Sequence, residues 1–346
     1  MINQIHPNKI RQIFFLAVIV LLFIVISKEL YSMLSAFLAA ITLYALFRNV
    51  MIQLVTKYNL KKWLSALLLI ISTLVVIILP AIWIVSISFE KLQPFINNPT
   101  LFNQSFEKIH VYLIQKAHID ILNADNIAKI NAFVIGYAKN IVGGTMSTLG
   151  NVFIAFFVLY FMLVQTFEIE TWLRKNVPFN NSNVNKIMNE SRNLIVSNAI
   201  GVPIVAILQG LTGFIGYFIF GVSDFLFLGI LTAICSMIPV VGAMIIWVPI
   251  MLFQLSIGNT WQGIAIGLWG LLLIGSVDNI ARFVLQKKMA NVHPLITIFG
   301  VLIGINIFGF LGIIFGPILF SIFFLLVKIY IDEYGKSSNS VQNRLQ

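Results

Sequence analysis

The sequence predicts an all-α polytopic membrane protein with about eight hydrophobic segments, the sixth and eighth broken or re-entrant helical hairpins, and a small helical extracytoplasmic insert. Three observations carry that prediction. Hydrophobic residues make up 59% of the chain and charged residues 10%, against roughly 45–50% and 25% in soluble domains. The apolar residues come in runs, most of them near the roughly 20 residues that cross a hydrocarbon core of about 30 Å. Two C-terminal runs, Phe225–Ser256 and Leu295–Val327, are each broken in the middle. As straight helices they would reach roughly 45–50 Å, too long for one simple crossing.

Along the chain, apolar stretches at about 12–27 and 30–47 are separated only by Ser27-Lys28-Glu29 and predict a helical hairpin. Lys9 and Arg11 precede the first stretch as in a signal peptide, but no small-residue cleavage site follows, so the expectation is an uncleaved pair. A third helix is expected over about 63–89, with Trp63 as an interfacial anchor. Residues 90–146 change character, with Pro94, Pro99 and mixed charges. Phe102, Phe106, Ile109 and Leu113 share one helical face, and Ile127, Ile130, Val134, Tyr137 and Ile141 share another, which predicts a structural lid or oligomer contact rather than a catalytic domain.

After Gly143-Gly144 a fourth helix is expected over about 147–167. A polar segment with Arg174, Lys175, Lys186 and Arg192 leads by an amphipathic stripe into a fifth helix at about 196–220, kinked near Gly201 and Pro203. The broken run from Phe225, a helix at about 261–277, the polar loop 278–294, the second broken run and a polar tail from about Lys328 complete the chain. In domain terms this gives three transmembrane helices over 1–89, the insert over 90–146, and a helix with a cytoplasmic linker over 147–195. The transport core follows over 196–330 and a cytoplasmic tail over 331–346.

Charge excludes some functions and orients the rest. The net charge is +10, but the basic residues are scattered through short loops without a basic, aromatic-interleaved stripe, so a nucleic-acid partner is not expected. Loop placement fits the positive-inside rule instead. If every run crossed once, Arg282, Lys287 and Lys288 would lie outside. If the two broken runs dip in and return, the 278–294 loop becomes cytoplasmic, and the fifth and seventh helices with their hairpins form two halves of opposite orientation. Gly221-Val-Ser-Asp224 and Gly275-Ser-Val-Asp278 close the two helices similarly. Inverted repeats and eight simple or kinked spans both remain open at this point.

Few residues can carry chemistry. Cys235, the sole cysteine, excludes an intrachain disulfide, and His6, His110, His118 and His293 are too dispersed for a metal site. No phosphate-binding loop, dinucleotide fingerprint or hydrolytic constellation is present, so neither an enzyme nor a cofactor is expected. The candidates for a substrate or ion path are Pro239, Gly242, Gly309 and Gly312 at the two breaks, Asn306 beside the second, and Asp278, Asn279, Arg282 and Gln209. Pro249, Gly316 and Pro317 are candidate backbone-shaping residues. Unwound helices expose carbonyls and helix ends to a substrate, and a carboxylate such as Asp278 or Asp224 can hold a proton or cation or simply cap a helix. Asn198 and Gln254 are polar side chains in apolar runs that require bundle partners.

Ile238-Pro239-Val-Val-Gly242 with Pro249, Asp278-Asn279-Ile-Ala-Arg282, His293-Pro294-Leu295, and Gly309-Phe-Leu-Gly312 with Gly316-Pro317 occur in this order. The ordered set, over roughly 195–325, resembles the autoinducer-2 exporter family of PerM-like predicted permeases, with Gln209 where that family often has glutamine and Phe283 where it commonly has proline. The resemblance implies a secondary transporter of the bacterial inner membrane that exports a small solute such as autoinducer-2, with some similar proteins looking like sodium–proton antiporters. It also implies a ring-like homo-oligomer, a pentamer. A passive channel and a non-transporting scaffold are the competing functions.

Overall fold

The computed structural model describes residues 7–118, 120, 122–123, 125–132, 136, 145–176, 181–238, 241–277, 279–280, 294–309 and 312–331. All the regular elements among them are helices. Six are long and apolar enough to cross a membrane, or seven if a bent pair counts as one span.

Helix α1 (Pro7–Ser32) and α2 (Leu34–Thr56) are separated by Met33 alone, whose φ of −93° and ψ of −2° stay in the right-handed helical region. The expected hairpin is therefore corrected. One residue of this geometry cannot reverse the chain, and Arg11–Tyr31 buries none of its surface in the protein. Helix α1 stands apart from the bundle, while α2 packs by Ala40 and Met51.

Helix α3 (Lys62–Thr73) passes through a π-helical stretch, Leu74–Ile78, into α4 (Leu79–Asn97). Pro80 has no N–H to offer Val76, and the wider π turn just before it absorbs that loss. The helix continues through Pro94 to Asn97 rather than ending near 89, so proline at 94 removes one helical bond without ending the helix. Lys62 and Lys91 thus sit about 43 Å apart along one axis, at 1.5 Å per residue, which matches the roughly 40–45 Å between the two headgroup layers of a bilayer.

Helix α5 (Pro99–Ala117) ends at His118 in the left-handed conformation. Its Ile109 is buried, as is Ile127 in the helical stretch 125–132, and Asn131 Nδ2 donates to Asn103 Oδ1 at 3.0 Å. The two stretches are thus joined by an amide pair that periodicity does not reveal, while Val134, Tyr137 and Ile141 of the second expected face lie outside the described residues.

Helix α6 (Thr145–Val164) packs Leu159 and Leu163 against α2 and α3. It was expected to run to about 167, but it stops at Val164. Past Gln165 the chain turns by 78° into α7 (Thr166–Asn176). Arg48 Nη2 donates to Glu170 Oε2 at 2.7 Å while Nε bonds the other carboxylate oxygen, and Lys62 Nζ donates to Glu168 Oε1 at 2.8 Å. These pairs hold α7 across the ends of α2 and α3. Thr166, with its hydroxyl on Leu163 O at 2.7 Å, is buried at the corner.

Helix α8 (Asn181–Ile219) runs unbroken through Pro203. It carries the two C-terminal hairpins described next.

Candidate functional site

The first broken run folds as two helices, α9 (Phe225–Ser236) and α10 (Met244–Ser256), followed by α11 (Thr260–Trp269) and a second π stretch, Gly270–Ile274. Small residues set their registers. Gly210 of α8 lies against Ala233, and Gly229 against Phe214, so α9 is antiparallel to α8. Gly263 meets Leu255 and Gly270 meets Trp247, so α10 is antiparallel to α11. Trp269 fills the space beside Gly216 and its Nε1 donates to Thr212 O at 2.9 Å, while Gln209 reaches Ile274, which together make α11 and its π extension antiparallel to α8. It follows that α9 and α10 are opposed arms of one hairpin, whose described turn residues are 237–238 and 241–243.

The same registers place Gln209, Ala243 and Ile274 at one level. The turn therefore lies about 15 Å along α8 from Ile219, or about half of a hydrocarbon core. Gly242 is buried there, and a β-carbon on it would overlap the carbonyl oxygens of Cys235 and Ile238. Pro239 falls outside the described residues. Pro249 lies inside α10 without ending it.

Gln209 is the polar centre of this region. It is 3% exposed, and its Nε2 donates a long 3.4 Å bond to Ile274 O, the last carbonyl of the π stretch. Its Oε1 is buried with no hydrogen-bond partner among the described residues. An unsatisfied buried carboxamide oxygen costs roughly 1–3 kcal/mol, so its retention calls for a reason. Nearby, Tyr217 Oη and Thr232 Oγ1 lie 3.1 Å apart, and Thr232 donates to Leu228 O at 2.8 Å, which ties α8 to α9.

The second broken run is a tight hairpin of α12 (Pro294–Phe308) and α13 (Gly312–Tyr330). Gly300 lies against Gly316 and Pro317, and Gly304 against Gly312, so close that a β-carbon on any of these glycines would enter the facing backbone. Gly309, with φ of +61°, begins the turn in a conformation that suits glycine. Phe308, Phe315 and Ile318 pack on Leu34 and Leu38 of α2 and Ile195 of α8. Ile195 precedes Gln209 by about 21 Å of helix. Among the described residues the first turn and the cluster beside the second thus rest on different partners.

Of the other expected site residues, Asn306 is exposed and its amide donates to Leu302 O at 3.3 Å, within its own helix rather than into the turn. Asn279 likewise donates to Gly275 O at 3.1 Å. Asp278 and Arg282 lie outside the described residues. Asn198 bonds Leu194 O at 2.8 Å, and Gln254 Oε1 accepts from Asn259 at 3.0 Å. Asp224, in the left-handed region at φ +55°, accepts a 2.6 Å bond from Lys91 Nζ. Sequence reasoning missed the aromatic plugs Trp247 and Trp269; the signal available was the glycine each of them faces. Trp269→Phe keeps that plug but leaves Thr212 O without the indole donor, and should lower stability by about 1 kcal/mol, read as a drop in thermal midpoint.

Long apolar helices, two glycine-packed hairpins and a buried polar group level with one of their turns define a multi-pass helical membrane protein. The chain matches the family described as AI-2E family transporter over residues 13–332 and belongs to that family. It is 27% identical over 241 residues to a protein of Aquifex aeolicus, covering 70% of this chain and 64% of that one. It is 28% identical over 218 residues to one of Helicobacter pylori (strain ATCC 700392 / 26695), covering 59% of each. Against a Treponema pallidum protein it is 27% identical over 262 residues, 70% of this chain and 63% of that one. All three are provisionally described as transport proteins. The chain thus spans less than two thirds of the length of these curated relatives.

Proposed function

We propose that the chain is a secondary transporter whose solute path passes the turn of the α9–α10 hairpin. The observation that carries this reading is the unpartnered Oε1 of Gln209, buried level with that turn. A free acceptor at this depth is suited to a hydroxyl or N–H of a small solute, or to a partly dehydrated cation. Arms of about 18 Å suit a segment that enters and returns rather than one that crosses. Irregular backbone at such depth has to be buried or line a polar cavity. Gly242, Gln209, the end of α9 and the π stretch would frame that cavity.

The finer reading follows the family: export of a small polar solute such as autoinducer-2, or exchange of a cation against protons or sodium, with Asp278 as a second candidate for ion binding. The side bearing Lys57, Lys61, Lys62 and Lys175 is then cytoplasmic, the insert faces outward, and the C-terminus lies on the inner side of a bacterial cytoplasmic membrane. A homo-oligomer, a pentamer, is the expected assembly. Cysteines introduced at Asn291 and Asn123 test the orientation. Impermeant thiol reagents added outside should label position 123 alone, and labelling of both would overturn the inverted arrangement.

Transport itself is tested in liposomes with an imposed proton or sodium gradient and a screen of small polar solutes and cations. Gradient-driven flux is expected, and Gln209→Leu should reduce it at least tenfold without loss of assembly. Flux only down the solute's own gradient would indicate a channel. No flux under any gradient would indicate a scaffold.

A further inference from the structure

The 78° turn after α6 makes α7 lie across the bundle instead of along it. Both carboxylates of α7 are spent inside the protein, Glu170 on Arg48 and Glu168 on Lys62. Glu168 stays exposed within its pair, and the outward side otherwise carries mainly aromatic and basic side chains. Trp172 is 63% exposed and Phe167 40%, beside Tyr58 at 62% and Trp63 at 50% in the adjoining 57–63 turn. Lys57 and Lys61 in that turn and Lys175 on α7 are exposed. With the two ion pairs neutral, those three lysines have no carboxylate partner among the described residues. A shallow groove lined by Phe167, Glu168, Thr171, Trp172, Lys175 and Asn176 runs along α7, with the Glu168 carboxylate held by Lys62.

Position supports a lipid occupant. Lys62, to which α7 is tied, lies one headgroup-to-headgroup distance from Lys91 along a single helix axis, so α7 sits at headgroup depth. A short helix at that depth, with aromatic side chains outward and cations beside them, has the features of an in-plane interfacial helix. Phosphates of acidic lipids complement its charge.

We propose that α7 and the 57–63 turn form a docking platform for anionic phospholipid headgroups. Phe167 and Trp172 enter the boundary between headgroups and acyl chains, and Lys57, Lys61 and Lys175 contact the phosphates. The inference is independent of what the protein transports. Because α7 is ion-paired to both α2 and α3, bound lipid would hold the α2–α3–α6 bundle together.

Two measurements on the full chain test it. A nitroxide at Thr171→Cys, in a Cys235→Ser background and reconstituted in phosphatidylcholine with phosphatidylglycerol, should be more accessible to oxygen than to a water-soluble nickel chelate. Nickel access equal to that of a label at Asn123→Cys would overturn the in-plane placement. In detergent, added phosphatidylglycerol should raise the thermal midpoint more than phosphatidylcholine does. Lys57→Gln/Lys61→Gln/Lys175→Gln should lose at least half of that difference while its midpoint without lipid stays at the wild-type value. An undiminished preference in the triple variant, or no preference in the wild type, would overturn the headgroup assignment.

Discussion

Gly312→Leu will prevent the α12–α13 hairpin from closing and yield little monodisperse protein in size-exclusion chromatography. The reason is backbone geometry. A β-carbon at 312 overlaps the carbonyl of Gly304 and the backbone nitrogen of Ile305, and Gly304 meets the same wall from the other side. Ordinary overpacking costs about 1–3 kcal/mol, but here a whole helix must move away, so a loss beyond about 4 kcal/mol is expected. Gly309→Asn is the matched control. Its site is open and its φ of +61° is one that asparagine tolerates, so it should elute as the wild type. A Gly312→Leu protein that assembles and melts normally would mean that α12 and α13 do not meet along this glycine seam.

Arg48→Ala should be nearly as damaging for a different reason. The guanidinium grips both oxygens of Glu170, and the two side chains are only 25% and 17% exposed. Removing the arginine strands a carboxylate in that setting. Fully buried pairs cost about 3–5 kcal/mol when one member is deleted, and the residual exposure here reduces that to roughly 2–4. Arg48→Met/Glu170→Leu should regain most of the loss, and a thermal double-mutant cycle measures the coupling. A single variant as stable as the double would show that α7 is held by other contacts. The Lys62–Glu168 pair is more open, and its deletion should cost less. The hydrogen bond from Lys62 holds the Glu168 carboxyl below its ordinary range, so its contribution is present above the usual carboxylate pKa and fades as pH falls below it.

Much of this architecture is legible in the residues, and the illegible part has a physical cause. The two breaks are written in Pro239 and Gly242, and in Gly309 through Gly312, and the long third helix in an unbroken apolar run. Which apolar residue faces protein is not written, because a side chain against lipid and one against a neighbouring helix have the same hydropathy. That is why α1 reads as half of a hairpin yet stands apart, and why Trp269 against Gly216 went unforeseen. The corner at Gln165 has no proline or glycine to mark it; it is imposed by two ion pairs between residues more than 100 positions apart. Gln209 was legible as a polar residue in an apolar run, but that only one end of its amide is satisfied is a property of the packed helices.

The unbroken helix from Lys62 to Asn97 carries one further consequence. With a charged residue fixed near each end of its apolar length, it cannot shorten when the acyl chains around it do. Short-chain lipids would have to be met by tilting the whole helix, and long-chain lipids by stretching the lysine stems or compressing the leaflets, each at a fraction of a kcal/mol per Å. Because α4 is clasped to Asp224 at the head of α9, any such tilt would pull on the hairpin that carries the polar turn. The saturation and length of the host's fatty acids would thereby become a physiological input to the protein's activity.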